Sequence, residues 1–175
     1  SAEADLRKAD AKNALDTLGV SDFINYNFPD NKLDQVAMLE LAKVIEKEIE
    51  AFKPSLLISH FSGDLNIDHQ RVAEAVLVAT RPQPSQCVKE IWAFEVLSST
   101  EWFFSSNQNF IPNYFVDVKD YIETKLIACS KYEQEFKPSP HSRSLDHVKV
   151  MAQHRGFSVG CEYAEAFQLV RRILN

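Results

Sequence analysis

Between His60 and His69 the chain reads His-Phe-Ser-Gly-Asp-Leu-Asn-Ile-Asp-His, so two imidazoles, two carboxylates and a carboxamide fall within one short run. Side chains of these types bind metal ions and move protons near neutral pH. Asp64, Asn66 and Asp68 alternate as the ligands of an EF-hand calcium loop do. That loop requires Gly where His69 stands and a bidentate Glu where Ala75 stands, so it is excluded. The spacing instead favours Asp68 and His69 as a pair. A neutral imidazole suits a zinc-like ion, and a neighbouring carboxylate fixes its tautomer and raises its basicity. The same residues also read as a plain helix start, with Asn66 or Asp68 as N-cap. One histidine does not make a metal site.

The elements around this run decide where it sits. Leu56, Leu57 and Ile58 form an apolar run expected to be a buried strand, and Val72, Val76 and Ala79 then recur at helical spacing. The polar run therefore lies where a strand hands over to a helix, which in open α/β sheets is the crevice that binds ligands. Upstream, the pattern predicts a helix over 4–18 capped by Gly19, a short strand over 23–28 ending in Pro29-Asp30-Asn31, and a helix over 33–52 stopped by Lys53-Pro54. Its Glu46, Lys47, Glu48 and Glu50 make a solvated face. Downstream, the prolines of 81–85 punctuate a loop before a strand over 88–97, and 98–112 is a long aperiodic segment suited to an active-site loop. A strand over 115–118, a helix over 121–136, a proline-stiffened loop over 137–144 and a helix over 145–154 follow. The stretch 160–174 fits either a helix or an extended course. Alternating helix and strand imply βαβ units around a mainly parallel sheet.

With 175 residues, 45% hydrophobic and 25% charged, the chain suffices for one domain with a substantial core. A formal net charge of -6 argues against a nucleic-acid partner. No segment approaches the length of a membrane span, and no signal pattern opens the chain. Cys87, Cys129 and Cys161 are odd in number and widely spaced, as expected of reduced thiols in a cytoplasmic protein. The chain has only four glycines and carries no Gly-rich phosphate loop.

Several features together resemble one family: the helix ending Leu18-Gly19-Val20, the Phe28-Pro29-Asp30 turn, the strand from Pro54, the run Asp64 to His69, and Arg155-Gly156 with Tyr163-Ala164-Glu165-Ala166-Phe167. In this order, over nearly the whole chain, they are similar to the LmbE-like, PIG-L-type metal-dependent N-deacetylases. The resemblance implies a Rossmann-like three-layer α/β sandwich with a mainly parallel sheet and a single zinc or other divalent ion. It also implies hydrolysis of the acetamide of an N-acetylated amino sugar or glycoconjugate, with assembly into a homo-oligomer allowed. His69 matches the family's third metal ligand and Asp68 the residue that orients the site. The family's His-Pro-Asp-Asp motif, which supplies the other two ligands and the general base, is absent. The chain is therefore expected to be a single domain lacking the family's N-terminal strands, or else a metal-free relative that serves as a binding module.

Asn66 stands where many relatives carry a histidine. It can donate a hydrogen bond to an oxyanion but cannot exchange a proton near neutral pH, so His141 or His60 is expected to supply the acid. Arg7, Asp64, Arg81, Trp102 and Arg143 are the expected substrate contacts. The resemblance matches Arg7 to an arginine that reaches toward substrate, Arg81 or Arg143 would hold a phosphate or carboxylate, and Trp102 with Phe103 and Phe104 would wall a sugar face.

Overall fold

The computed structural model describes residues 2–104 and 108–174. In chain order the elements are α1 (Ala2–Leu18), α2 (Met38–Phe52), β1 (Leu56–His60), α3 (Ile67–Ala79), β2 (Glu90–Phe94), β3 (Tyr114–Asp117), α4 (Ile122–Ser130), α5 (Leu145–Phe157) and β4 (Ala164–Arg172). Short 3-10 turns cover Leu33–Gln35 and Thr100–Trp102. The strand order is β1-β2-β4-β3. The chain forms two compact units, one of Ser1–Asn27 with Phe115–Glu165 and the other of Phe28–Tyr114 with Ala166–Asn175.

The first unit contains α1, α4 and α5. Gly19, at φ 72°, takes the left-handed conformation that ends α1, and Val20 N closes the turn on Leu15 O at 2.9 Å. The core gathers Ile122, Ala152 and Tyr163, with Val118 and Leu126 against them. Gly156 lies inside α5 because the chain returning toward β4 presses on it. A Cβ there would sit 2.8 Å from the Cys161 carbonyl oxygen and 2.9 Å from Tyr163 Cα.

In the second unit β1 and β2 are parallel, paired from Leu56↔Glu90 to His60↔Phe94, and α3 is the crossover between them. Leu57 on β1 and Ile91 on β2 turn toward α2 and α3, meeting Ile45, Ile49, Val72, Val76 and Ala79 in one core. A second cluster, Leu33, Leu41 and Ala75, ties the turn before α2 to α3. Lys53, at φ 54°, ends α2 as its left-handed cap, one residue before Pro54.

The α/β class and the strand-to-helix handover at residue 60 agree with the sequence. The sheet, however, is mixed rather than mainly parallel. β4 pairs antiparallel with β2, from Glu90↔Arg172 to Phe94↔Phe167, with an irregularity between Ile91 and Trp92. The ambiguous segment 160–174 is this strand. Residues 23–28 are irregular instead of a strand: neighbouring Phe23 and Ile24 are both exposed, so their pattern does not sort side chains between two faces. The helix expected from Leu33 begins at Met38, after the 3-10 turn. α4 stops at Ser130, where Lys131 N and Tyr132 N bond three residues back and tighten the chain out of α geometry.

Candidate active site

Because β1 and β2 run parallel, the loops that leave their C-terminal ends meet, and the polar run after β1 faces the segment after β2. At their junction the Asp64 side chain is fully buried. Its Oδ1 accepts from Asn66 N at 2.8 Å, from His69 Nδ1 at 3.1 Å and from Ser99 Oγ, and its Oδ2 accepts from Thr100 Oγ1 at 2.6 Å. Gln70 Nε2 bonds the Asp64 carbonyl at 2.5 Å. Burial alone would raise the Asp64 carboxyl. The bonds from His69, Ser99, Thr100 and Asn66 outweigh it and hold the pKa down to about 2. The segment bearing Ser99 and Thr100 is braced in turn. Glu101 accepts from Ser98 N and Ser99 N at 2.6 and 3.2 Å, and Thr100 Oγ1 bonds Val96 N at 2.7 Å. Ser98 itself adopts the left-handed φ of 63°.

An ionised carboxylate only accepts, so His69 Nδ1 donates to Asp64, and in the neutral ring Nε2 keeps its lone pair. The His60 ring stacks on His69 at 4.2 Å and 18° and meets Phe94 at 4.7 Å. Burial, then repulsion from His69, lowers the His60 pKa to about 4 despite the opposing pull of Asp64. The folded chain thus favours neutral His60, while an unfolded imidazole protonates near 6.5. The resulting contribution to stability, about 3 kcal/mol, is fully present above pH 6.5 and is lost as pH falls to 4. Urea unfolding of the wild type between pH 7 and 4 is expected to show this decline, and His60→Phe, which keeps the ring contacts, is expected to flatten it. An equal slope in both proteins would assign the decline elsewhere.

Asp68 does not stand behind His69. Its carboxylate accepts from Asn31 N at 2.7 Å and Leu33 N at 2.9 Å, stapling the turn before α2 to the start of α3. Asp64 takes the orienting place assigned to Asp68. The reason is helical geometry: adjacent residues on a helix point about a quarter-turn apart, so Asp68 cannot share the direction of His69. Asp64 is likewise no substrate contact, because its carboxylate is enclosed and shared among four donors. Asn66 is the N-cap of α3, and its side-chain oxygen accepts from Asp68 N at 2.8 Å. Asn66→Ala is expected to destabilise the chain by about 1 kcal/mol, read as a lower urea midpoint; an unchanged midpoint would remove its capping role.

Trp102, 43% exposed, ends the 3-10 turn that Thr100 begins. Phe104 is 94% exposed, and residues 105–107 of the expected active-site loop lie outside the described residues. Arg81 lies past the far end of α3, more than roughly 15 Å along the axis from His69, and its guanidinium approaches Glu46 at 3.9 Å. It is not brought to the cluster. Arg7, His141 and Arg143 belong to the first unit. There Glu135 receives Arg7 at 3.8 Å and Arg143 at 2.6 Å, and His141 Nδ1 accepts from Arg143 N at 2.9 Å. Ser99, Thr100 and Gln70 were not singled out from the sequence. The signal that points to Ser99 and Thr100 is topological, since they follow the strand parallel to β1.

Among the described residues no group of three or more His, Cys, Asp or Glu side chains could hold a metal ion. His69 Nε2 has the chemistry of one ligand, but the gathered residues do not fit a complete site. Asp64 is spent on orientation and Asp68 on the turn.

Residues 1–80 match the family model PIG-L: GlcNAc-PI de-N-acetylase. The chain is 28% identical over 132 residues to a probable N-acetyl-alpha-D-glucosaminyl L-malate deacetylase 2 of Bacillus anthracis, covering 75% of this chain and 56% of that protein. It thus spans little more than half the length of this curated relative. Its fold matches the conserved protein TT1542 of Thermus thermophilus, with a TM-score of 0.74 and 18% identity, over 98% of this chain and 76% of that one. It also matches an N,N'-diacetylchitobiose deacetylase of Pyrococcus horikoshii, with a TM-score of 0.73 and 18% identity, over 96% of this chain and 64% of that one. The match over residues 1–80, the Bacillus relative and the shared fold agree with the Asp64-to-His69 run placed at a strand-to-helix junction and with the resemblance to the PIG-L, or LmbE-like, proteins.

Proposed function

We propose that this chain belongs to a hydrolase that removes an acetyl group from an N-acetylated amino sugar or glycoconjugate. The observation that carries the reading is the buried Asp64 holding His69 Nδ1 and so leaving Nε2 as a base or ligand at the strand ends. The family match and the names of the relatives supply the substrate class. Zinc, or another single divalent ion, is the cofactor we propose, with His69 as one of its ligands; when bound it would supply Lewis-acid chemistry at the amide. Asp64 holds His69 in place and is itself held by Ser99 and Thr100, and the partly exposed Trp102, in the turn that carries Thr100, would offer an apolar surface for a sugar face. No helix among the described residues is long and apolar enough to cross a membrane. A cytoplasmic setting stays part of the proposal, on the number and spacing of the cysteines.

A second reading has its own support. With Asn66 used as a cap, Asp68 used as a staple and no three-ligand group among the described residues, the same scaffold suits a metal-free binding module. The discriminating experiment incubates the complete gene product, supplied with zinc, with N-acetylglucosaminyl conjugates and measures acetate and free amine. Equal amounts of the two products are expected. Zinc-loaded protein that binds the conjugate without releasing acetate would overturn the hydrolase and favour the module.

A further inference from the structure

We propose that His60 is a positioning residue: its ring, stacked on the face of His69 and backed by Phe94, sets the plane of the His69 imidazole and so the direction of Nε2. The inference rests on the reading of His69 as the base or ligand of the site. Asp64 holds that ring at one atom, Nδ1, at 3.1 Å. A hydrogen bond tolerates about 30° of misalignment, and the χ2 torsion of histidine has a broad preference rather than a sharp well. One bond therefore fixes the tautomer and leaves the plane free to tilt. A face contact supplies the missing constraint, because tilting either ring opens the stack and forfeits its close contacts.

The rings of His60 and His69 lie 4.2 Å apart between centroids and only 18° from parallel. His60 has its own support. It ends β1 opposite Phe94 in the parallel register, Phe61 N bonds Phe94 O at 3.2 Å just beyond it, and the Phe94 ring meets it at 4.7 Å and 47°. The plane of His69, in the first turn of α3, is thus set from the sheet. His60 Nδ1 is buried without a partner, so through that atom the side chain neither grips a neighbour nor reaches a bound molecule. Its ring faces carry the contact instead. A flat aromatic ring is what this position needs, so phenylalanine should serve there and an aliphatic side chain should not.

Carbon NMR relaxation of the His69 ring in the complete protein, stripped of metal, reads the effect. The wild type and His60→Phe are expected to show a His69 ring as ordered as a rigid backbone, with an order parameter of about 0.85, and His60→Leu one below about 0.6. Protonation at Nδ1 should persist in all three, since Asp64 remains. In acetate release, His60→Leu is expected to lower kcat about tenfold with KM changed less than about twofold, and His60→Phe to restore kcat. A loss of stability alone would not divide the two variants in this way. A His69 ring as ordered in His60→Leu as in the wild type, or a kcat that His60→Leu leaves unchanged, would overturn the role. Should His60→Phe be too large to fold, His60→Leu against the wild type still decides. The relaxation result stands whether or not acetate is released, so failure here and failure of the hydrolase reading are told apart.

Discussion

Asp64→Ala is expected to lower the unfolding free energy by about 3 to 5 kcal/mol, the range for removing one member of a buried charged network. The magnitude follows from what the carboxylate holds. Ser99 Oγ, Thr100 Oγ1, His69 Nδ1 and Asn66 N all donate to it in a place without solvent access. Deleting it strands four donors and uncouples the segment after β2 from the start of α3. Asp64→Asn keeps the volume but turns an N–H toward donors, and is expected to cost about 2 to 3 kcal/mol. Parallel urea unfolding of the three proteins at pH 7 measures both effects, and a loss below about 1 kcal/mol in Asp64→Ala would contradict the described network. The pH dependence has a definite sign. The folded pKa of about 2 lies below the ordinary 3.8, so the carboxylate's contribution, about 2 kcal/mol, is present above pH 4 and is lost as pH falls through 2.

His69→Ala carries the largest functional effect. If the complete protein releases acetate, this substitution is expected to lower kcat/KM by at least about a hundredfold, the upper end of losses seen even for residues that act only through a metal ligand. Bound zinc should fall with it. Stability should fall less than in Asp64→Ala, because three of the four donors to Asp64 remain. Asp64→Asn should reduce kcat/KM by about ten- to a hundredfold while His69 is still present, since it acts through the ring. Undiminished zinc occupancy and acetate release in His69→Ala would remove His69 from the site.

What the sequence made legible was local. Apolar periodicity placed β1, α3 and β2, and the crowding of polar residues from His60 to His69 marked the right junction, because a strand-to-helix handover leaves a signature in adjacent residues. The pairing inside the junction was not legible. Asp68 is the neighbour of His69 in sequence, yet Asp64, a turn and a half-loop away, is its partner in space. Ser99 and Thr100 come from a segment without periodicity and reach the site only because β2 pairs parallel to β1. Sheet direction depends on contacts among distant segments, which is also why the antiparallel course of β4 and the irregular course of 23–28 escaped the sequence. Arg7, His141 and Arg143 have the chemistry of anion binding, but they are tied to Glu135 and to one another within the first unit.

Long-range proton–nitrogen NMR of the His69 ring at neutral pH tests most directly whether Asp64 sets the site. With Asp64 accepting from Nδ1, the metal-free chain should show a protonated Nδ1 and an unprotonated Nε2, and Asp64→Ala should release the ring to a mixture of tautomers. A wild-type ring protonated at Nε2 alone, or a tautomer mixture indifferent to Asp64, would contradict the pairing, and the role of Nε2 proposed on it.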